Sequence, residues 1–271
     1  MDFKEIYKIK DESEQIQKTY EIFNEDTRLN RSKAARVEFL TNVKYIEKYL
    51  KEGDRILDIG AGAGEYSFYF ARKGHVVSAL ELTDANIKAF RAKMREDDSI
   101  ELTQGNAIDL SKYEDKSFDI VLLFGPLYHL HSESDRQKCI AEAKRVCKDG
   151  GMIFFSFIGN DMVILTELDY DKEYLLGDSY DHESFKVEDF PFVFFTVDAC
   201  RKMLLDGGIK IIHEVASDGI SELMEEKINA LDDESYAQYL RYHFYICEKP
   251  EFLGMSNHLL FVGEKEKRTR K

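Results

Sequence analysis

Three glycines at alternate positions, Gly60, Gly62 and Gly64, follow the apolar run Ile56-Leu-Asp-Ile59 and precede the helical pattern Glu65-Tyr-Ser-Phe-Tyr-Phe-Ala71. A backbone without side chains at those points can turn tightly and approach a ligand closely. Two ligand classes compete for such a bend. The dinucleotide fingerprint spaces its glycines G-x-G-x-x-G and rests a pyrophosphate on the helix N-terminus. Here the third glycine comes one residue early, and Glu65 sets a carboxylate where a pyrophosphate needs room. Asp58 adds a second negative charge two residues before Gly60. That charge set disfavours a polyanion and suits a cation.

A second group of reactive side chains follows in Tyr128-His129-Leu-His131-Ser132. His129 is the candidate catalytic base, because an imidazole titrates near neutrality; the alternative is a ring packed within its own loop. Tyr128 either lines an acceptor pocket or belongs to the core. The His129-x-His131 pair has the look of a metal site, but no carboxylate is spaced to complete it, so no metal is expected. Ser132 reads as the cap of the next helix rather than as a nucleophile.

S-adenosylmethionine meets the charge requirement at the glycine bend, since it carries a sulfonium, an ammonium and one carboxylate but no phosphate. The pattern Asp58-x-Gly60-x-Gly62-x-Gly64 after an apolar strand resembles motif I of the class I SAM-dependent methyltransferases. The resemblance implies a cofactor site made of Asp58, Gly60, Ala61, Gly62 and Gly64. It adds Glu81 and Leu82 at the second strand end, where an acidic residue takes the ribose hydroxyls. Asn106 and Ala107 follow the third strand. Many relatives have Asp at the first of these, facing the adenine amino group; Asn106 departs from that but keeps an acceptor oxygen. Phe124-Gly125-Pro-Leu-Tyr-His-Leu130 resembles the motif IV region, with Phe124 and Gly125 at the cofactor. The stretch Tyr20–Leu29 resembles a helical lid, in which Tyr20 and Arg28 close over the cofactor, with Arg28 near its carboxylate; both residues are otherwise ordinary members of an amphipathic helix. The reaction implied is in-line methyl transfer to a small-molecule acceptor, with S-adenosylhomocysteine as product. Three alternatives stand beside it: a non-catalytic protein that binds the same cofactor, a methyltransferase of RNA or protein, and an NAD-dependent oxidoreductase, which Glu65 and the glycine spacing disfavour.

The elements that must position these residues alternate along the chain. Ile16, Tyr20 and Phe23, then Val37, Leu40, Val43, Ile46 and Leu50, recur at helical steps. Strands are expected at Arg55–Ile59, His75–Leu82 and Ile100–Thr103, and the largely apolar runs Phe118–Phe124 and Met152–Ile158 read as buried parallel strands. Helices are expected at Glu65–Lys73, from Thr83-Asp84 to about Asp97, and over Ser132–Cys147. Residues 160–190 break the rhythm with ten acidic residues against two basic ones. The run Phe190-Pro-Phe-Val-Phe-Phe195 is either a buried strand or one wall of an apolar acceptor pocket, with Phe192 and Phe195 as its candidate lining. A last unit runs from a helix at Val197–Leu205 through a strand at Ile209–Val215 and a helical stretch to about Cys247. The fold class is therefore α/β: a doubly wound, Rossmann-like, mostly parallel sheet. The resemblance makes it seven-stranded, with "NHLLFVG" as an antiparallel last strand. It also places an N-terminal helical lid over residues 1–52, and a methyltransferase domain over 53–271 with an insertion at about 160–195.

Composition sets the outer limits. A chain of 271 residues fits one large α/β domain. A formal net charge of −14 argues against a phosphate-tracking groove and hence against a nucleic-acid partner. The basic end Lys265–Lys271 reads as a solvated terminus. The four cysteines, Cys139, Cys147, Cys200 and Cys247, form no CxxC pair and no disulfide framework. No membrane span or signal segment is visible, so a cytoplasmic monomer or homodimer is expected.

Overall fold

The computed structural model describes residues 3–22 and 27–265. The expected helical position Phe23 and the basic terminus beyond Lys265 lie outside them. Among the described residues eight strands form one sheet: β1 (Arg55–Ile59), β2 (Val76–Glu81), β3 (Ile100–Gln104), β4 (Phe118–Leu123), β5 (Cys147–Gly159), β6 (Phe194–Phe195), β7 (Ile209–Ala216) and β8 (His258–Lys265). Their order is β3-β2-β1-β4-β5-β8-β7, and β6 adds a short parallel pairing to β5 at Ile158 and Gly159. β8 runs antiparallel to both β5 and β7. The expected seven strands are all present; the eighth, β6, comes from the aromatic run, which delivers only two residues to the ladder.

Sequence alternation explains the layers. Leu57, Ile59, Val121, Leu123, Ile153, Phe155 and Phe157 face one side of the sheet and pack with the helices Glu133–Val146 and Val197–Asp206. Ile56, Ile120, Leu122, Met152 and Phe154 face the other, under the helices Arg36–Glu47 and Glu65–Ala71. Successive strand residues point to opposite faces, so a strand covered on both sides must be apolar throughout. That is why β4 reads FDIVLL, apolar but for Asp119 near its start, whose carboxylate pairs with Lys148.

The N-terminal stretch divides in two. Arg36–Glu47 is a layer of the sheet's own core, with Val37 and Ile46 fully buried. The helix Glu12–Ile22 lies across the carboxyl ends of the strands. Its Gln17 donates through Nε2 to the Leu82 carbonyl at 3.1 Å and accepts from the Asp84 amide at 3.1 Å, while Asn106 Nδ2 donates to Ser13 Oγ at 3.2 Å.

Within the segment that breaks the rhythm, residues 160–170 form a helix, Asn160–Tyr170. Its apolar residues are not confined to one stripe. Met162 and Thr166 are buried, whereas Leu165 is exposed, so no helical period shows in the sequence. Ser132 precedes the helix Glu133–Val146 as expected, but its hydroxyl pairs with Ser134 Oγ at 2.7 Å and caps no backbone amide. Cys147 opens β5 rather than ending that helix, and all four cysteines are free and buried. No helix among the described residues is long and apolar enough to cross a membrane.

Candidate active site

Strand order reverses between β1 and β4, and in open parallel sheets ligands bind at the carboxyl ends of the strands beside such a switch point. The glycine turn after β1 and the Phe124-Gly125 turn after β4 meet there. Gly60 has φ +75°, and a Cβ on it would sit 2.7 Å from Pro126 Cδ, so the two turns interlock only through a glycine. Gly64 has φ +91° and packs where a Cβ would strike Phe68 and Phe90. It supports the turn from the core side and does not line the cleft.

The cleft beyond these turns is lined by Tyr20, Arg28, Asp58, Gly60, Ala61, Gly62, Glu81, Leu82, Asn106, Ala107, Phe124 and Gly125. Twelve of the thirteen residues expected at the cofactor thus gather at one place, Gly64 being the exception. Ile16, Leu29, Glu38, Tyr66, Asn86 and Ser156 join them without having been expected.

Glu81 is buried and its carboxylate is fully engaged. Oε2 accepts from the Gly62 amide at 2.9 Å; Oε1 accepts from the Thr83 amide and hydroxyl at 2.8 Å each and from Asn86 Nδ2 at 3.3 Å. It anchors the glycine turn to the end of β2, and a sugar hydroxyl would have to share or replace these donors. Asp58 accepts from Ser67 Oγ at 2.6 Å; burial pushes its pKa up to about 6, against the pull of that hydroxyl and with help from the Glu81 charge. Asn106 spends its side-chain oxygen on the Ile108 amide at 3.1 Å. Glu65 lines the cleft but is paired with Lys93 at 2.8 Å, so its negative charge is partly offset. Arg28 is held by Glu38 at 2.6 Å.

His129 is buried, with Nε2 hydrogen-bonded to the Tyr20 hydroxyl at 2.8 Å and the ring among Tyr20, Tyr128 and Phe192. Burial, reinforced by His131, pushes its pKa down to about 3. A ring that releases a proton so readily is neutral at pH 7 and a weak proton acceptor. It lies in the cofactor cleft, where it latches the helix Glu12–Ile22 through Tyr20.

The cleft itself leaves a void of about 100 Å³, below the roughly 300–1,000 Å³ of a small-molecule site. Beside it lies a cavity of about 630 Å³. Arg28, Glu38 and Tyr128 line both and form the boundary. Phe192 lines the second cavity, but Phe195 does not: it is buried against Phe157 in the core, because β6 turns alternate aromatic residues to opposite sides. The acidic segment contributes Glu167, Tyr170, Tyr174 and Glu188 to the cavity wall.

On the far side of the boundary, His258 Nδ1 donates to Asp218 Oδ2 at 2.7 Å and lies 3.5 Å from Glu38 Oε2. Burial pushes His258 down, but Glu38 and Asp218 together reverse it and hold its pKa at about 9. Asp218, despite burial, is kept below the usual carboxylate range by His258 and by Ser256 Oγ, which donates at 2.6 Å. No sequence signal singles out Glu38 or Asp218; for His258 the one hint is a polar pair, Asn257-His258, at the head of a buried strand.

Residues 57–155, from β1 into β5, match a family described as a methyltransferase domain. A SAM-dependent methyltransferase from Methanosarcina mazei shares the fold, with a TM-score of 0.54 at 21% identity over 82% of this chain and 96% of that one. Over residues 57–155 the chain carries a methyltransferase domain, and its fold is that of the class I SAM-dependent methyltransferase superfamily. Among curated relatives of this superfamily, it is 33% identical over 120 residues to the demethylmenaquinone methyltransferase of Clavibacter sepedonicus, covering 44% of this chain and 47% of that protein. It is 34% identical over 110 residues to the 27-O-demethylrifamycin SV methyltransferase of Amycolatopsis mediterranei, covering 38% of each. The chain thus spans less than half the length of these curated relatives. The cofactor of the superfamily is S-adenosylmethionine, and the cleft fits it. Carboxylates of Asp58, Glu81 and Glu38 face a space walled by Ile16, Leu29 and Leu82, an environment for a cationic nucleoside and not for a pyrophosphate.

Proposed function

We propose that this protein transfers the methyl group of S-adenosylmethionine to a small-molecule acceptor bound in the 630 Å³ cavity. The observation that carries this reading is the shared boundary: Arg28, Glu38 and Tyr128 belong to both the cofactor cleft and the larger cavity. A reaction between two bound molecules needs such contiguous sites, and holding reactants in line supplies most of the acceleration. When bound, the cofactor provides an electrophilic methyl group on a sulfonium leaving group. The Gly60–Gly62 backbone and the Glu81-fixed turn hold the nucleoside, and Leu82 and Ala107 flank the base. Arg28, by exchanging Glu38 for the cofactor carboxylate, fixes its amino-acid end. Tyr128 and Phe192 orient the acceptor. The volume falls within the range for drug-sized ligands, and the matching segments of the two curated relatives come from enzymes named for small-molecule substrates. The domain boundary near residue 52, a cytoplasmic location and the absence of a nucleic-acid partner belong to the same proposal; the last is supported by the net charge of −14.

The test is a screen of small hydroxyl-, amino- and thiol-bearing compounds with methyl-labelled cofactor. Label should appear in one chemical class of acceptor and fall when Phe192→Ala or Tyr128→Ala opens the wall. Transfer to RNA or protein alone would contradict the reading.

A further inference from the structure

We propose that His258, held by Asp218, is the proton acceptor for methyl transfer in the acceptor cavity. This rests on the functional reading above and assigns a residue to it. The geometry is that of a positioned base. Asp218 accepts from His258 Nδ1 at 2.7 Å and from its backbone amide at 3.1 Å, and is itself steadied by Ser256 Oγ. The neutral imidazole therefore has one orientation and one tautomer, Nδ1–H, and Nε2 is the atom that gains or loses the second proton. That atom makes no hydrogen bond among the described residues, and the ring lines the acceptor cavity with 19% of its side chain exposed. Glu38, 3.5 Å from Nδ1, stands on the boundary with the cofactor cleft. His129, by contrast, is spent on Tyr20.

The charged groups facing His258 are Glu38 from the helix Arg36–Glu47, Arg28 from the segment before it, and Asp218 from the turn after β7; Glu222, Glu225 and Arg31 stand farther round the cavity. Arg28 and a protonated His258 balance Glu38 and Asp218, so in the empty site the four charges close among themselves and the ring keeps its proton at neutral pH. The arriving cofactor brings a sulfonium, an ammonium and one carboxylate; the carboxylate pairs with Arg28, and the net charge of +1 that remains beside Glu38 drives the proton off and frees Nε2 to act. In the step, the X–H bond of the acceptor breaks and its proton passes to Nε2. The electron pair left on X forms the bond to the methyl carbon, and the carbon–sulfur pair goes to sulfur. The proton then leaves through the open side of the cavity. Asp218 is a positioning residue, since it touches only His258 and its surroundings.

The test has two arms on the full chain. Nitrogen-detected NMR of the histidine rings, in the free protein and saturated with S-adenosylmethionine or S-adenosylhomocysteine, should show His258 titrating well above the ordinary imidazole value when free. Its titration should fall further with the sulfonium compound than with the thioether. Equal midpoints in the two complexes would overturn the proposal. With an acceptor from the labelled screen, kcat/KM should rise with pH along a limb that His258→Gln abolishes, with a loss on the order of 100-fold or more. Asp218→Asn should move that limb to lower pH, which a purely structural role would not do. A limb that persists in His258→Gln, or activity that falls as the ring deprotonates, would overturn it. Retained S-adenosylhomocysteine binding by both variants serves as the folding control. If the wild type bound neither cofactor form, the reading of the cleft would fall and this inference with it; binding without the histidine response removes only the inference.

Discussion

At the scale of single residues, the account turns on two positions at the first crossover. Glu81 lines the proposed cofactor site and is a structural anchor there, because four protein donors converge on it. Glu81→Gln keeps the shape but replaces one acceptor oxygen with an amide donor that faces other donors. We expect S-adenosylhomocysteine affinity to drop by about 1–3 kcal/mol, roughly 5- to 150-fold, with a loss of thermal stability alongside. Titration calorimetry on the two proteins decides this, and an unchanged dissociation constant would remove Glu81 from the site. Gly60→Ala should destabilise the fold by about 1–3 kcal/mol, since it combines a left-handed φ with a Cβ 2.7 Å from Pro126. Urea unfolding measures it, and a neutral result would mean that the Pro126 turn yields freely. Both residues were readable from the sequence, as was the meaning of the glycine spacing. The saturation of Glu81 was not, because its partners Thr83 and Asn86 look like ordinary helix-start residues until the turn is folded. The Glu38–His258–Asp218 group was invisible for a different reason: its members come from three segments far apart in the chain, and each alone is an unremarkable polar residue.

At the scale of elements, the helix Glu12–Ile22 controls entry. It places Ile16 and Tyr20 in a cleft whose void is about 100 Å³, and we expect this helix to move when the cofactor enters. Gln17 ties it to the end of β2 through two hydrogen bonds, with Leu82 and Asp84. Gln17→Ala should speed cofactor association several-fold, since each bond contributes on the order of 1 kcal/mol to the closed position. Stopped-flow fluorescence would register this, and an unaltered association rate would place the barrier elsewhere. The strands and most helices were legible because a doubly covered parallel sheet demands wholly apolar strands and stripe-faced helices. The helix Asn160–Tyr170 escaped because its apolar residues spread around the axis, and Phe195 was misplaced because a two-residue strand offers no period to read. The function of Arg36–Glu47 as a core layer, rather than as part of a lid, depends on which side of the sheet it covers, and sequence periodicity does not carry that information.

At the scale of the whole molecule, buried histidines set the pH response. Burial holds His129 at about 3 and His243 at about 4, the latter against the pull of Asp218. Both bind fewer protons folded than unfolded, so their contribution to stability is lost as pH falls from about 6.5 toward those values. Asp58, raised to about 6, acts in the opposite sense over the acid range and offsets part of that loss. His258 is the reverse case. Its folded pKa of about 9 exceeds the unfolded value, so its contribution is complete below about 6.5 and disappears as pH climbs through 9. The upper bound is roughly 3 kcal/mol at 1.36 kcal/mol per pKa unit. Denaturant midpoints at pH 6.5 and 9.5 should therefore fall more steeply for the wild type than for His258→Gln; equal losses would contradict the assignment of that ionisation.

The most direct test of the central claim, that the crossover cleft was built for a phosphate-free cationic nucleoside, is calorimetric titration of the whole chain with S-adenosylhomocysteine and, separately, with NAD. The account predicts saturable one-to-one binding of the first and no heat from the second. Binding of NAD with no response to S-adenosylhomocysteine would contradict it.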